Sequence, residues 1–150
     1  SDVSSDLTAW VDPDRILQVL VNLLRNAVDA TTHARPASSA GTGQTAAPVV
    51  RIHGERIVRD GRRWARLRIT DNGPGIPPEM LGRLFQPFAS TRLDANGTGL
   101  GLAVTEGIGR EHGGLIVARN IAGEGAEFEV LLPEADAVVG GTPEAAAWVG

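Results

Sequence analysis

The sequence predicts an α/β fold of about five strands and about three helices, and three observations carry that expectation. The run at 12–32, DPDRILQVLVNLLRNAVDATT, repeats its apolar residues with a helical period. Two strand-like runs, 49–58 and 62–71, flank Asp60-Gly61, a hairpin signal that makes them antiparallel neighbours. A second long helical run, 99–114, leads into two more strand-like runs near 115–120 and 125–132.

Taken in order, residues 1–7 are polar, and LTAWV at 7–11 reads as a short strand. The helix at 12–32 begins with Asp12, which suits the cap, and Pro13, which suits the first helical position. At 100° per residue, Ile16, Leu17, Val19, Leu20, Val21, Leu23, Leu24, Ala27 and Val28 cover one broad arc. Gln18, Asn22, Arg25, Asn26 and Asp29 share the other. Residues 33–48, rich in Ala, Ser, Thr and Gly, read as a flexible loop. After the hairpin, 77–84 fits a short helix with Pro in its first turn, and 85–98 reads as a mobile loop. The helix at 99–114 ends at Gly113-Gly114, and Pro133 stops the last strand. Residues 134–150 read as a loosely attached tail.

Length and composition narrow the function classes. At 150 residues, 42% hydrophobic and 21% charged, the chain suits one globular domain. No apolar run approaches the ~18 residues that a membrane span needs, and no signal-peptide pattern opens the sequence. Cysteine is absent, which excludes disulfides and thiolate metal sites. This composition is compatible with the cytoplasm. A formal charge of −4 argues against a general nucleic-acid binder. All 14 basic residues are Arg. Seven of them, Arg51, Arg56, Arg59, Arg62, Arg63, Arg66 and Arg68, cluster on the hairpin, either as a solvated sheet face or as a docking surface for an acidic partner.

Four stretches carry chemistry. In DNGPGI at 71–76, Asp71 shares the apolar strand face of Ala65, Leu67 and Ile69, which carries a carboxylate to the edge of the core. A buried carboxylate without a partner costs several kcal/mol, so it needs a donor. Local amides could supply one, and so could the exocyclic amine of a flat ligand such as adenine, with Gly73 and Gly75 letting the ligand approach the backbone. On the long helix Asn22 and Asn26 lie four apart on one face. They are either a solvated polar face or hard, neutral oxygen ligands suited to Mg²⁺ when phosphates supply the charge. In NGTGLGLAV at 96–104, Gly97, Gly99 and Gly101 bring backbone N–H groups together at a helix start, either as a hinge or as a phosphate site. In LFQPFASTR at 84–92, Phe85 and Phe88 anchor a polar loop, and Thr91 and Arg92 are within reach of a phosphate. His33, His53 and His112 show no metal spacing, and His112 suits the end of its helix as a partner of the helix dipole.

The order of QVLVNLLRNAVDA, DNGPGI, LFQPFAST and GTGLGLAV resembles the N, G1, F and G2 boxes of the sensor histidine kinase catalytic domain, over roughly residues 8–133. The wording of NLLRNAVDA and HGG looks most like the nitrogen-regulation and dicarboxylate-sensor kinases. The resemblance implies a two-layer sandwich: a mixed, mainly antiparallel sheet with the helices on one face, the Bergerat-type ATP-binding fold of gyrase, Hsp90 and MutL. It implies a catalytic domain at 1–133 with an ATP lid at 83–98. It implies ATP and Mg²⁺ as cofactors. Asp71 would accept from the adenine amine, with Gly73, Gly75 and Ile76 around the base. Asn26 would hold Mg²⁺, with Asn22 supporting the phosphate site and Asp29 also lining the ATP site. Phe88, Thr91, Arg92, Gly97, Thr98, Gly99, Leu100 and Gly101 would complete the ATP site. The catalytic set is then Asn26, Asn22 and Arg92. Related ATPases carry a water-activating Glu four residues before the Mg²⁺-binding Asn. Here that position is Asn22, and an amide takes no proton at neutral pH.

These likenesses imply phosphoryl transfer from MgATP to a histidine. None of the three His residues begins an H-E-x-x-x-P pattern, so the acceptor is expected on a separate dimerisation domain, with a response regulator downstream. The fragment is expected to be a cytoplasmic monomer and the whole protein a homodimer, with or without a membrane anchor. The other readings are a conformational ATPase of the same superfamily and a non-catalytic nucleotide-sensing or protein-binding module.

Overall fold

A computed structural model of the chain describes residues 2–3, 7–33, 47–89, 99–122 and 125–135. Five strands form one sheet in the order β1-β2-β3-β5-β4. They are β1 (Asp2–Val3), β2 (Val50–Arg59), β3 (Arg62–Asp71), β4 (Leu115–Ile121) and β5 (Gly125–Pro133). β1 runs parallel to β2, and every other pairing is antiparallel. Among the described residues three helices accompany them: α1 (Pro13–His33), α2 (Pro78–Leu81) and α3 (Gly101–Glu111). The expected first strand at 7–11 is not formed. Only Ala9 bridges, to Glu134, and the short edge strand is Asp2–Val3 instead.

Local chemistry sets the element ends. The Asp12 carboxylate accepts from the N–H groups of Asp14 and Arg15 at 3.0 and 3.2 Å, capping α1 as its sequence suggests. Asp60 and Gly61 both take positive φ, 51° and 73°, the two-residue turn that matches strand twist. α3 ends with Gly113 at φ 66°. Gly113 N–H bonds to Arg110 O, and Gly114 N–H reaches back to Gly109 O at 2.8 Å, which uses carbonyls the helix end would leave unpaired.

The core lies between α1, α3 and one face of the sheet. Ile16, Val19, Leu23 and Ala27 from α1 and Ile108 from α3 meet Ile69, Ile116, Phe128, Val130 and Leu132. A third of the apolar arc of α1 is not used this way: Leu17, Val21 and Val28 are 58%, 53% and 48% exposed. Gly109 lets α3 settle on β4, because a Cβ there would stand 3.0 Å from two carbons of Ile116. Nothing in the structure explains Gly107.

The opposite sheet face carries charge. Glu55 accepts from Arg66 at 2.6 Å and from Arg68 at 3.1 Å. Arg119 pairs with Glu127, and Arg66 and Arg119 approach Glu129 at 3.9 and 3.8 Å. The hydrogen bond from Arg66, then the charges of Arg66, Arg68 and His53, hold the Glu55 carboxyl below its ordinary value against the opposing effect of burial. A depressed folded-state value adds stability that is present above about 4.5, the ordinary glutamate value, and lost as pH falls through the lowered one. Urea melts at stepped pH should show the wild type losing more stability on acidification than Glu55→Gln, with the difference confined to pH below about 4.5.

The described residues continue past Pro133 to Glu134 and Ala135. The side chain of Glu134 is 3% exposed, Arg56 Nε donates to its oxygens at 2.7 Å, and Arg63 lies 3.7 Å away. Glu134 N–H bonds to Arg63 O and Ala135 N–H to Thr8 O. Residues 136–150, most of the expected loop at 33–48 and the segment 90–98 lie outside the described residues.

Candidate nucleotide-binding site

Two clusters of polar groups stand along α1. The first surrounds the end of β3. Asp71 is 4% exposed, and its Oδ1 accepts from Gly73 N–H at 2.8 Å and from Ala126 N–H at 3.4 Å. No described residue donates to Oδ2. The local-amide reading of Asp71 is thus seen at one oxygen, and the other has no donor among the described residues.

The turn after Asp71 is shaped by close approach. A Cβ on Gly73 would lie 2.9 Å from Asp71 Oδ1 and 3.1 Å from Ala30 O on α1. Gly75 adopts φ 80°. Ile76 packs on the core, and its backbone is gripped at both ends by Asn120 of β4, N–H to Oδ1 and O to Nδ2, each at 2.7 Å. Asn72 ties the other side of the turn to the chain before β2, bonding Val49 N–H at 2.8 Å and Ala47 O at 2.7 Å.

Sequence reasoning missed Asn120 and Gly125. Gly125 opens β5 at φ 99°, where a Cβ would stand 2.5 Å from Asp71 O and 2.9 Å from Asp71 Oδ1. Only glycine lets the β4–β5 hairpin close on the carboxylate. Their effect depends on strand pairing across distant parts of the chain, so no local motif announces them.

The second cluster lies at the start of α3. Asn22 of α1 donates through Nδ2 to Gly101 O and to Thr105 Oγ1, each at 3.3 Å. Thr105 was not singled out from sequence. Leu100 precedes the helix, and no side chain caps it, so the first N–H groups of α3 remain available to an anion. Gly99 adopts φ 66°, and its carbonyl accepts from Phe88 N–H at 3.2 Å. Phe88 itself is 74% exposed at φ 61°, whereas Phe85 packs on the core. Of the two Phe residues expected to anchor the loop, Phe85 packs on the core and Phe88 is exposed among the described residues.

Asn26 lies one turn beyond Asn22, half-buried, with no side-chain hydrogen bond to any described residue. Asp29 is half-buried one turn further on. From Asn22 to Ala30 the helix rises roughly 12 Å, so one side of α1 joins the clusters. Thr91, Arg92, Gly97 and Thr98 lie outside the described residues.

His112 sits at the end of α3, as expected, and makes a second contact that the sequence did not suggest. Its Nε2 accepts from Asp12 N–H at 3.1 Å, and its Nδ1 meets Ile108 O at 2.8 Å. That pair of contacts calls for the neutral ring with its hydrogen on Nδ1, and it pins the end of α3 to the start of α1.

Among the described residues no group of three His, Cys, Asp or Glu is arranged to hold a metal. The donor set at the second cluster is instead neutral amide oxygen. It suits a hard cation that arrives with phosphates and keeps much of its coordination shell, as Mg²⁺ does. No helix among the described residues is long and apolar enough to cross a membrane.

The family described as histidine kinase-, DNA gyrase B- and HSP90-like ATPase matches residues 11–136. Over 120 residues the chain is 41% identical to the two-component sensor PprA of Pseudomonas aeruginosa, covering 80% of this chain and 12% of that protein. Over 123 residues it is 41% identical to the sensory histidine kinase/phosphatase NtrB of Salmonella typhimurium, covering 81% of this chain and 32% of that protein. The solved structure of full-length ShkA in complex with AMPPNP superposes with a TM-score of 0.63 at 29% identity, over 88% of this chain and 24% of that one. The chain therefore spans a third or less of these proteins. An uncapped helix start beside paired asparagines, a carboxylate held at a glycine turn and a family match over residues 11–136 agree: the chain belongs to the histidine kinase-, DNA gyrase B- and HSP90-like ATPase family, as a catalytic ATP-binding domain of the sensor histidine kinase type.

Proposed function

We propose that this domain binds MgATP and donates the γ-phosphate to a histidine on a separate dimerisation domain, from which a response regulator is served. The observation that carries the reading is Asp71, buried with one oxygen fixed by backbone amides and the other without a described donor, near one end of a helix whose Asn22 stands beside the α3 N-terminus with Asn26 one turn on. The purine amine would meet Oδ2, and the phosphates would meet the amides of Gly101 and its neighbours. Asn26, with Asn22 beside it, would hold Mg²⁺, which supplies neutralisation of phosphate charge when bound. The remaining expected contacts, from Asp29, Thr91, Arg92, Gly97 and Thr98, belong to the same reading.

In the transfer, a lone pair on the acceptor imidazole attacks the γ-phosphorus and the bond to the bridging oxygen breaks, releasing ADP. The protein's share is positioning and charge compensation. Asn22 offers no base to activate water, which favours transfer over hydrolysis. The reading places the domain in the cytoplasm, where ATP and a response regulator are found, within a homodimer.

The test combines the purified chain, γ-labelled ATP and an acceptor domain from a relative such as NtrB. Label appearing on the acceptor's histidine, with little phosphate released in its absence, is expected. Steady ATP turnover without the acceptor would instead indicate a conformational ATPase. Nucleotide binding with neither outcome would indicate a sensing module.

A further inference from the structure

Thr105 is a wholly buried polar residue on α3, one turn past its start. Its hydroxyl donates to Gly101 O at 2.8 Å, which spends its only hydrogen. Its oxygen can then only accept, and the nearby donor is Asn22 Nδ2 at 3.3 Å. The same Nδ2 also reaches Gly101 O, which accepts and cannot donate. These two acceptors decide the orientation of the Asn22 amide. Turned over, Oδ1 would face two oxygens, one with its hydrogen already committed and one with none. Both hydrogens of the amide are therefore spent inside the first turn of α3. Oδ1 is left with no donor among the described residues, one helical turn from Asn26.

An amide that has only its oxygen to offer does not hydrogen-bond a phosphate oxygen. It attracts a cation, or a hydrogen of the cation's water. We propose that Thr105 is a positioning residue: by accepting from Asn22 it keeps the Asn22 oxygen turned toward the divalent cation of the bound nucleotide. The inference rests on the MgATP reading above, and it assigns Asn22 to the cation rather than to the phosphates. Without the hydroxyl, one of the two contacts that orient the amide disappears, and only Gly101 O is left to hold it.

The test is isothermal titration of an ATP analogue into the chain, with Mg²⁺ and separately in excess EDTA, for the wild type, Thr105→Val and Thr105→Ser. Val keeps the shape and removes the hydroxyl; Ser restores it. The expected result is that the Mg²⁺-dependent gain in affinity falls about 5- to 10-fold in Thr105→Val, on the order of 1 kcal/mol for one oriented hydrogen bond. Affinity in EDTA stays level, and Thr105→Ser recovers the gain. An unchanged Mg²⁺ gain in Thr105→Val overturns the positioning role, and so does an equal loss with and without Mg²⁺, which marks a packing defect. A wild type with no Mg²⁺ gain at all overturns the MgATP reading itself, and the inference with it. In the wild type, the Asn22 side-chain NH₂ signals should keep their shifts on nucleotide binding without Mg²⁺, because those hydrogens face α3. Large nucleotide-induced shifts under that condition would place them on phosphate and refute the assignment, whether or not the Val variant folds.

Discussion

Asn26→Ala is expected to abolish phosphoryl transfer while leaving the fold in place. The fold half of this statement follows from where Asn26 sits. The side of α1 that packs on the sheet is Ile16, Val19, Leu23 and Ala27, and Asn26 is not among them. Its side chain makes no hydrogen bond to a described residue, so truncation strands no buried partner. Alanine is also the better helix former by roughly 0.5 kcal/mol, so the melting temperature should stay level or rise slightly. The chemical half follows from the shortage of alternatives: no acidic cluster among the described residues could take over a cation. Losing one preorganised electrostatic group typically costs about 10²–10³ in rate, and a group that holds the compensating cation belongs at or beyond the upper end. Asn26→Asp keeps an oxygen at the position but adds a negative charge beside the phosphates, and it should fail as well. Single-turnover transfer from labelled ATP to an added acceptor domain, with a thermal melt of the same samples, checks both halves. A wild-type transfer rate in Asn26→Ala would remove the metal from that position.

What was legible in the sequence was local. The long amphipathic helix, its Asp12 cap, the Asp60-Gly61 hairpin and the glycine-terminated α3 all show in residues adjacent or one turn apart, and they formed within three residues of their expected bounds. The apolar arc of α1 was legible as an arc. Periodicity reports which side of a helix is apolar and not which part of it finds a partner, so the exposure of Leu17, Val21 and Val28 was not readable. The Asp2–Val3 strand was invisible because two polar-flanked residues pair only where β2 offers an edge.

In the site, the order of four motifs located Asp71, Asn22 and Asn26. The residues that hold Asn22, Ile76 and Asp71 lie 83, 44 and 55 positions away along the chain. Thr105 reaches Asn22, Asn120 grips Ile76, and Ala126 offers its amide to Asp71. Their role exists only after β4 and β5 pair and α3 docks. The buried Glu134 belongs to the same class: a glutamate just past a strand-ending proline reads as tail until Arg56 and Arg63 close on it from the hairpin.

Asp71→Asn should weaken ATP binding by about 10- to 100-fold, while a nucleotide with a 6-oxo purine in place of the 6-amino one loses far less. The two backbone amides that reach Asp71 Oδ1, from Gly73 and Ala126, accept only an oxygen there. An asparagine must therefore keep its oxygen in place and turn its NH₂ to the position of Oδ2. The variant then presents a donor where the wild type presents an acceptor. Against the adenine amine this sets donor against donor in a position 4% exposed, and water cannot easily make up the loss. Against a 6-oxo group the same NH₂ makes a bond. The substitution is almost isosteric, and both backbone contacts survive, so the turn through Gly73 and Gly75 should hold and the melting temperature should move little. Calorimetric titration of both nucleotides into both proteins separates the base contact from general damage. Equal losses for the two bases would mean that Asp71 shapes the turn and does not read the purine, because a deformed pocket penalises either base while a reversed hydrogen bond penalises only one.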